Sequence, residues 1–376
     1  MNSASPTAHG PSFRLTASRF TIFSVNYFER SKHVFLLLST RSGAGPASSR
    51  PIVARIVIGI SGWSYKHWRG GPFYPKGLRQ RDELAYVAER LDSVELNGTF
   101  YSLQRPDSFR AWHAQTPDTF VFAVKGSRFI SHNKKLRGVD TALANFFASG
   151  LLLLAEKLGP IVWQLPERMR FDAERLDTFL SALPQDTAAA AEMAKAHDAR
   201  VDGRNWTETD ATRPLRYALE PRNTEFFTGE CVDILRRHDV ALVAADSGRW
   251  PLGEEVTASF VYLRLHGSPI TYASRYSDTA LDRWAAAIDA WSRGSEPDDA
   301  ARITDRPLPS RRRRDVFCYF DNDGKGHAPH DALRLRERLE RLERLEPLER
   351  RDTHHAHHSG RDWSRGVGGR RRSAVA

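Results

Sequence analysis

Short apolar runs recur through the chain between residues 56 and 333, separated by longer polar stretches. Most of these runs are continuous rather than alternating, which is typical of parallel strands covered on both faces. They therefore predict eight strands: Ile56–Ile60, Ser93–Leu96, Phe120–Val124, Ile161–Leu165, Tyr217–Leu219, Ala241–Ala245, Phe260–Leu265 and Val316–Phe320.

Apolar residues at helical spacing occur in most of the intervals between these strands. This spacing predicts helices over Asp82–Leu91, Thr141–Leu158, Leu176–Leu183, Cys231–His238, Leu281–Trp291 and Asp331–Leu345. Alternating strands and helices predict an α/β fold, a (β/α)8 TIM barrel that occupies residues 56–345 as a single domain. An open doubly wound sheet is less favoured, because no Gly-rich phosphate loop follows the first strand. Residues 184–214 are polar and Ala-rich, and we expect them to be an insertion before the fifth strand.

Charge is concentrated at the two ends of the chain, although 40% hydrophobic and 27% charged residues are an ordinary globular composition. The net charge is +10, yet residues 56–333 are close to neutral because seven basic residues precede position 56 and twelve follow position 333. We expect residues 1–55 to be a disordered or non-native leader, and residues 346–376 to be a disordered Arg/His-rich tail. No stretch is apolar enough for a membrane span. Two cysteines cannot form a disulfide framework, which favours a location in the reducing cytoplasm. We also expect the protein to be bacterial.

Polar or ionisable residues stand at or just after the end of every predicted strand. Catalytic groups of a TIM barrel lie at this C-terminal end, on the mouth formed by the βα loops. Two alternatives compete with a functional mouth: strand ends emerge into water, and charges around a rim can form a structural ion-pair network. The strand-end residues, in chain order, are Ser61, Trp63, Glu95, Asn97, Lys125, Gln164, Glu220, Arg222, Asp246, Arg264, His266, Asp321, Asn322 and Asp323.

Several segments resemble one known family. These segments are GISGWSYKHWRGGPFYP, VELNGTFYSL, TPDTFVFAVKGSRFISH, LGPIVWQLP, YLRLHG and YFDND, and they occur in order over about residues 56–335. They resemble the YecE-like proteins, the group described as domain of unknown function 72. The resemblance implies a TIM barrel and implies no established activity.

The chain departs from the usual family pattern at several positions. Ile60 and Ser131 stand where the family usually has Thr, and Asp321 replaces the first Asn of the closing motif. The fifth-strand motif keeps Glu220 and Arg222 but has Asn223 where the family has His. A function that needs an imidazole on the fifth strand is therefore in doubt for this chain.

The first functional hypothesis is a metal-independent acid/base or hydrolytic site for a small anionic substrate, phosphorylated or sugar-like. Lys125 and Arg222 would hold a phosphate or carboxylate, and Glu220 or His266 would move a proton. Trp63 and Tyr101 would form an aromatic wall, with rim packing as the alternative. We assign catalysis to Glu220, His266, Lys125 and Asp246, and substrate binding to Trp63, Glu95, Asn97, Tyr101, His132, Gln164, Arg222, Arg264, Asn322 and Asp323.

Two further hypotheses remain open. The first is a divalent-metal hydrolase, isomerase or phosphodiesterase that resembles abasic-site endonuclease barrels, although three cations at the same rim would repel a metal. Its ligands would come from Glu95, Glu220, Asp246, His266 and Asp323. The second is a non-catalytic module that binds nucleic acid or another ligand through basic residues. We favour a site that requires no cofactor and takes a small molecule.

Overall fold

The computed structural model describes residues 54–358 of the chain, with side chains through Arg344. Eight parallel strands form a closed barrel in which each strand pairs with its sequence neighbours and β1 pairs with β8. The strands are β1 (Ile56–Ser61), β2 (Ser93–Leu96), β3 (Val121–Lys125), β4 (Leu158–Gln164), β5 (Tyr217–Glu220), β6 (Val240–Asp246), β7 (Phe260–Leu265) and β8 (Asp315–Phe320). The predicted TIM barrel is confirmed, and every predicted strand lies on an observed one.

Helices surround the barrel and complete the fold. They are α1 (Glu83–Ala88), α2 (Gly98–Tyr101), α3 (Pro106–Ala114), α4 (Asp140–Ala148), α5 (Ala173–Ser181), α6 (Thr187–Ala194), α7 (Gly229–Arg237), α8 (Asp278–Ser292) and α9 (His327–His358). The β6–β7 connection, residues 247–259, contains no helix although it is fully described. Among the described residues, no helix combines the length and apolarity that crossing a membrane requires.

The long helix predicted over Thr141–Leu158 is wrong. Helix α4 ends at Ala148, and Gly150 follows with a φ of 108°. A Cβ at Gly150 would lie 2.7 Å from the Cα of Pro106, so the chain turns here against α3. A separate 3-10 segment, Leu151–Lys157, then leads into β4. The apolar pattern continued through the break because both segments pack on the same barrel.

The other predicted segments stay predictions, and the structure describes only some of their residues. Residues 184–214 contain α6, which begins at an Asp186 cap, and Asp186 also forms an antiparallel bridge with Pro214. The predicted leader lies outside the described residues except for positions 54 and 55. The predicted tail stays a prediction: α9 continues to His358, and residues 359–376 lie outside the described part.

Two apolar layers stabilise the barrel. The larger lies between the strands and the helices, and the smaller fills the lumen. Lumen side chains follow a period of two along each strand, as in Val121 and Ala123 on β3 and Phe317 and Tyr319 on β8. Continuing this period toward the C-terminal strand ends identifies the side chains that close the mouth.

Gly59 on β1 provides a test of lumen packing. A Cβ at this position would lie 2.5 Å from the carbonyl oxygen of Ser93 and 2.9 Å from the Tyr319 ring. Ser93 is the sheet partner of Gly59, so its backbone cannot move away without disturbing the pairing of β1 and β2. We expect Gly59→Ala to lower the free energy of unfolding by about 1–3 kcal/mol, measured by chemical denaturation.

Gly98→Ala is the matched control. Its Cβ would meet only the flexible amide of Gln104, at 3.4 Å, and its position in α2 favours alanine. Equal stability of the Gly59→Ala variant and the wild type would contradict this account of the lumen.

Candidate functional site

Arg264 lies at the centre of the mouth and carries no solvent exposure. Its guanidinium donates to both carboxylate oxygens of Glu95, at 2.7 and 3.1 Å. It also donates to Glu220 Oε2 at 2.5 Å and to Asp321 Oδ2 at 2.9 Å. One cation on β7 thereby joins carboxylates from the C-terminal ends of β2, β5 and β8.

Other polar groups complete the shell around Glu95 and Glu220. Ser61 Oγ and Tyr262 Oη donate to Glu95, at 3.1 and 2.7 Å. Arg222 Nε donates to Glu220 Oε1 at 2.8 Å. Every carboxylate oxygen of these two buried glutamates therefore has a donor, which is the condition for keeping a charge inside a protein.

Charge pairing decides the ionisation of the carboxylates. Burial opposes the ionisation of Glu220, but Arg264 and Arg222 outweigh it and hold the pKa of Glu220 well below its usual range. Burial likewise opposes ionisation of Asp321, and Arg264 leads the groups that lower its pKa. Both side chains are thus bound as anions in the folded protein.

Lys125 is the one lumen-facing cation in the described part of the mouth that forms no ion pair. Its Nζ lies 4.5 Å from the centroid of the Phe100 ring. Burial, reinforced by the positive charge of Arg264, lowers the pKa of Lys125 to about 8. The side chain is only 8% exposed.

His132 and Asp323 lie on the mouth face, and both have shifted pKa values. His132 packs edge-on against Phe100 at 5.1 Å, and burial together with Lys125 lowers its pKa to about 4. Burial and the negative charge of Asp321 raise the pKa of Asp323 to about 6. His132 is therefore neutral at pH 7, and Asp323 titrates just below it.

His266 lies beneath an aromatic wall. Its Nδ1 is 3.0 Å from Asp321 Oδ2 and its Nε2 is 3.6 Å from Glu220 Oε1, although neither contact has the geometry of a hydrogen bond. The rings of Trp250 and Tyr272 pack on it at 5.1 and 5.5 Å. Arg222 in turn stacks on Trp250 with its Cζ 3.5 Å from the ring centroid.

Two predicted site residues do not face the lumen. Asp246 accepts a hydrogen bond from Trp284 Nε1 of α8 at 3.2 Å, on the helix side of the barrel. Asn322 donates to the Ser274 carbonyl and to Asp331, each at 2.9 Å. Each lies one position from a lumen-facing residue, so a period of two turns it outward. We withdraw the catalytic role of Asp246 and the ligand role of Asn322 on this ground.

The remaining predicted ligand residues are spread over the mouth. Gln164 ends β4 in register with Glu220, and Asn97 is half-buried after β2 with its Oδ1 unpaired. Trp63 packs edge-to-face on Trp112 of α3, at 5.6 Å, and Tyr101 is 68% exposed. The aromatic wall over the buried charges consists of Trp250 and Tyr272, which the sequence prediction did not include.

Tyr262 was also left out of the predicted mouth, and Asp321 was named among the strand-end residues but given no role. Counting in twos from Arg264 along β7 would have found Tyr262, and counting from Tyr319 on β8 would have shown that Asp321 faces the lumen. Trp250 and Tyr272 lie in loops after β6 and β7, where no periodic signal marks them.

Arg264 takes the place that a metal ion would need between the three carboxylates. Among the described residues, no group of three or more His, Cys, Asp or Glu side chains is arranged to hold a metal. The metal hypothesis would require Arg264 to move and is less favoured by this arrangement.

Taken together, the closed barrel and its charged mouth define a TIM-barrel protein with polar side chains gathered at the C-terminal strand ends. The model of the family "Protein of unknown function DUF72" matches residues 57–354, and the chain belongs to this family. Two curated relatives, the UPF0759 protein YecE of Escherichia coli K12 and that of strain O157:H7, are each 32% identical over 111 residues. Those alignments span 30% of this chain and 38% of each relative, well under half of its length.

Two solved structures share the fold. A DUF72 family protein from Thermotoga maritima MSB8 has 23% identity and a TM-score of 0.58, covering 76% of this chain and 99% of that one. A DUF72 family protein from Enterococcus faecalis V583 has 16% identity and a TM-score of 0.54, covering 76% and 95%. At these identities the likeness concerns the fold alone.

The Arg264 cluster predicts a specific dependence of stability on pH. Arg264→Met leaves three carboxylates without their shared partner, so we expect it to lower the free energy of unfolding by about 3–5 kcal/mol at pH 7. In the variant, the folded pKa values of Glu220 and Asp321 rise, so their destabilising effect is relieved as the pH falls. The deficit relative to wild type should therefore shrink between pH 7 and pH 5, measured by denaturation at each pH.

Arg170→Met serves as control, since Arg170 is 83% exposed and pairs with Glu225 at the surface. We expect little change in its stability at either pH. A deficit in Arg264→Met that stays constant from pH 7 to pH 5 would contradict the charge-pairing account.

Proposed function

We propose that the barrel mouth is an acid/base site, hydrolytic or proton-transferring, for a small anionic substrate that is phosphorylated or sugar-like. The observation that carries the proposal is a difference in ion pairing among the three cations of the mouth. Arg264 and Arg222 are paired with carboxylates, whereas Lys125 has no ion pair among the described residues. An incoming phosphate or carboxylate would supply the partner that Lys125 lacks.

The pairing of charges in the mouth, rather than their sum, supports an anionic ligand. Three cations, Arg222, Arg264 and Lys125, face three carboxylates, Glu95, Glu220 and Asp321. Because Arg264 binds all three carboxylates itself, the charge of Lys125 is compensated only from a distance. Burial adds to the cost of that charge, and ligand binding would relieve it.

Groups suited to proton transfer lie on the same face. Asp323 has a pKa raised to about 6, and neutral His132 has a pKa of about 4. A general acid or base works best when its pKa lies near the operating pH, so Asp323 is the stronger candidate. Glu220 is held ionised by its two arginines, and we therefore assign it to positioning them rather than to donating a proton.

Anion binding can be measured through thermal unfolding. We expect inorganic phosphate, 2-phosphoglycolate and glucose 6-phosphate to raise the unfolding midpoint, and neutral glucose to leave it unchanged. Lys125→Met should abolish the shift, and the wild-type shift should weaken as the pH rises through about 8 and the ammonium loses its charge.

Lys134→Met is the matched control, because Lys134 is exposed in the loop after β3 and forms no ion pair among the described residues. Burying the Lys125 ammonium costs free energy below its pKa, so Lys125→Met should be at least as stable as wild type at pH 7. Loss of binding is then separable from loss of fold. Equal anion shifts in Lys125→Met and wild type would refute the pocket.

A second candidate is a binding module for an extended anion such as single-stranded nucleic acid. The large apolar side chains that are exposed in the described part all lie on the mouth face: Tyr101, Phe129, Ile270 and Tyr272. The loop after β3, residues 126–139, adds four basic residues and no acidic one. Exposed aromatic rings beside cations are what base stacking and phosphate contact require.

Fluorescence anisotropy with a labelled oligothymidylate would test this second candidate on the full chain. We expect Phe129→Ala to weaken binding by about 5-fold or more, since stacking contributes about 1–3 kcal/mol per base. Arg312→Ala is the control, because Arg312 is exposed in the loop before β8, on the opposite face. Unchanged affinity in Phe129→Ala and Tyr101→Ala would rule out this face as the binding surface.

A further inference from the structure

Lys125 differs in its contacts from the other buried lysine of the described part. Lys157 Nζ donates to the carbonyl oxygens of His113 and Thr116, at 2.7 and 2.8 Å, which fixes it as a structural ammonium. Lys125 Nζ has no hydrogen-bond acceptor among the described residues and lies over the apolar face of Phe100. Once the nitrogen has lost its proton, no hydrogen bond from a described residue occupies its lone pair.

Its backbone is also held in place. Thr99 Oγ1 donates to the Lys125 carbonyl at 2.7 Å, and β3 pairs with β2 and β4 on either side. A side chain at the end of a strand that is paired on both sides is positioned by rigid structure, as a nucleophile must be.

We propose that Lys125 is a nucleophile that forms an imine with the carbonyl group of a small anionic aldehyde or ketone. This inference rests on the proposed function, and it narrows the substrate class to compounds that carry both a carbonyl and a negative charge. An amine attacks only in its neutral form. With a pKa of about 8, roughly a tenth of Lys125 is neutral at pH 7, against under a thousandth for an ordinary lysine.

The step balances without a further reactant. The Nζ lone pair forms a bond to the carbonyl carbon, and the carbonyl π electrons move to the oxygen, which takes a proton. The resulting hydroxyl leaves as water with a second proton while the nitrogen lone pair forms the C=N bond. Overall, an ammonium and a carbonyl give a protonated imine and water, and the single positive charge is retained.

The surroundings suit a protonated imine. Ionised Glu220 and Asp321 both raise the pKa of the Lys125 nitrogen, so they stabilise positive charge there, and the iminium carries that charge. Neutral His132, which packs on the same Phe100 ring, can carry the proton between nitrogen and oxygen. An iminium withdraws electrons from the neighbouring carbon, which favours proton removal or carbon–carbon cleavage at that carbon.

Reductive trapping tests the inference on the full-length protein. The protein would be incubated at pH 7 with glyoxylate or glycolaldehyde phosphate and sodium cyanoborohydride, and the modified lysines located by peptide mass mapping. We expect Lys125 to be alkylated at least 10-fold faster than Lys134. Lys195→Met, which removes a lysine that is 60% exposed at the end of α6, should leave the rate at Lys125 unchanged. Lys125→Met should remove the fast adduct without creating one at Lys157.

The same samples separate failure of the imine from failure of the anion site. If 2-phosphoglycolate, which has no reactive carbonyl, raises the unfolding midpoint through Lys125 but neither aldehyde modifies Lys125 faster than Lys134, the imine is overturned and the anion site stands. If neutral glycolaldehyde modifies Lys125 as fast as the charged aldehydes, the anionic substrate class is overturned. Fast trapping that depends on the aldehyde's charge supports both.

Discussion

Arg264 is the residue on which the mouth of this barrel depends. Three carboxylates meet in a water-excluded layer at the ends of different strands, and without a shared cation they would repel one another and lose hydration. The guanidinium makes four hydrogen bonds to these carboxylates from one rigid plane, whereas an ammonium has only three donors and no fixed plane. Its planar fork therefore sets the positions of Glu95 and Glu220, and through Glu220 the position of Arg222.

That arrangement leaves Lys125 without a direct partner, and this shapes the functional interpretation. A network in which every charge is paired is complete as it stands and needs no ligand. Here the paired charges surround a lysine whose charge is costly to keep, while a neutral His132 and an Asp323 carboxyl group of raised pKa lie nearby. Neighbouring titratable groups, some held ionised and others with pKa values shifted toward the neutral form, are typical of binding and catalytic sites.

Several features of the fold could be predicted from local sequence patterns, and the predictions that were wrong have local causes. Continuous apolar runs identified all eight strands because each is covered by helices outside and by lumen side chains inside. The helix over Thr141–Leu158 was overextended, since apolar spacing cannot detect the positive φ of Gly150 against Pro106. Asp246 was predicted as a site residue because it lies at a strand end. That prediction did not consider which face of the strand its side chain occupies.

The sequence alone determined the barrel, the family and the group of strand ends from which the site is built, because apolar runs and motif spacing are properties of neighbouring residues. Tertiary structure decided which of those residues meet. Glu95 and Arg264 are 169 positions apart, and only barrel closure brings their charges to 2.7 Å. The state of Lys125 is likewise a tertiary property, since its pKa depends on burial and on charges from four other strands. Residues far apart in the chain shift one another's protonation only after folding removes the water between them.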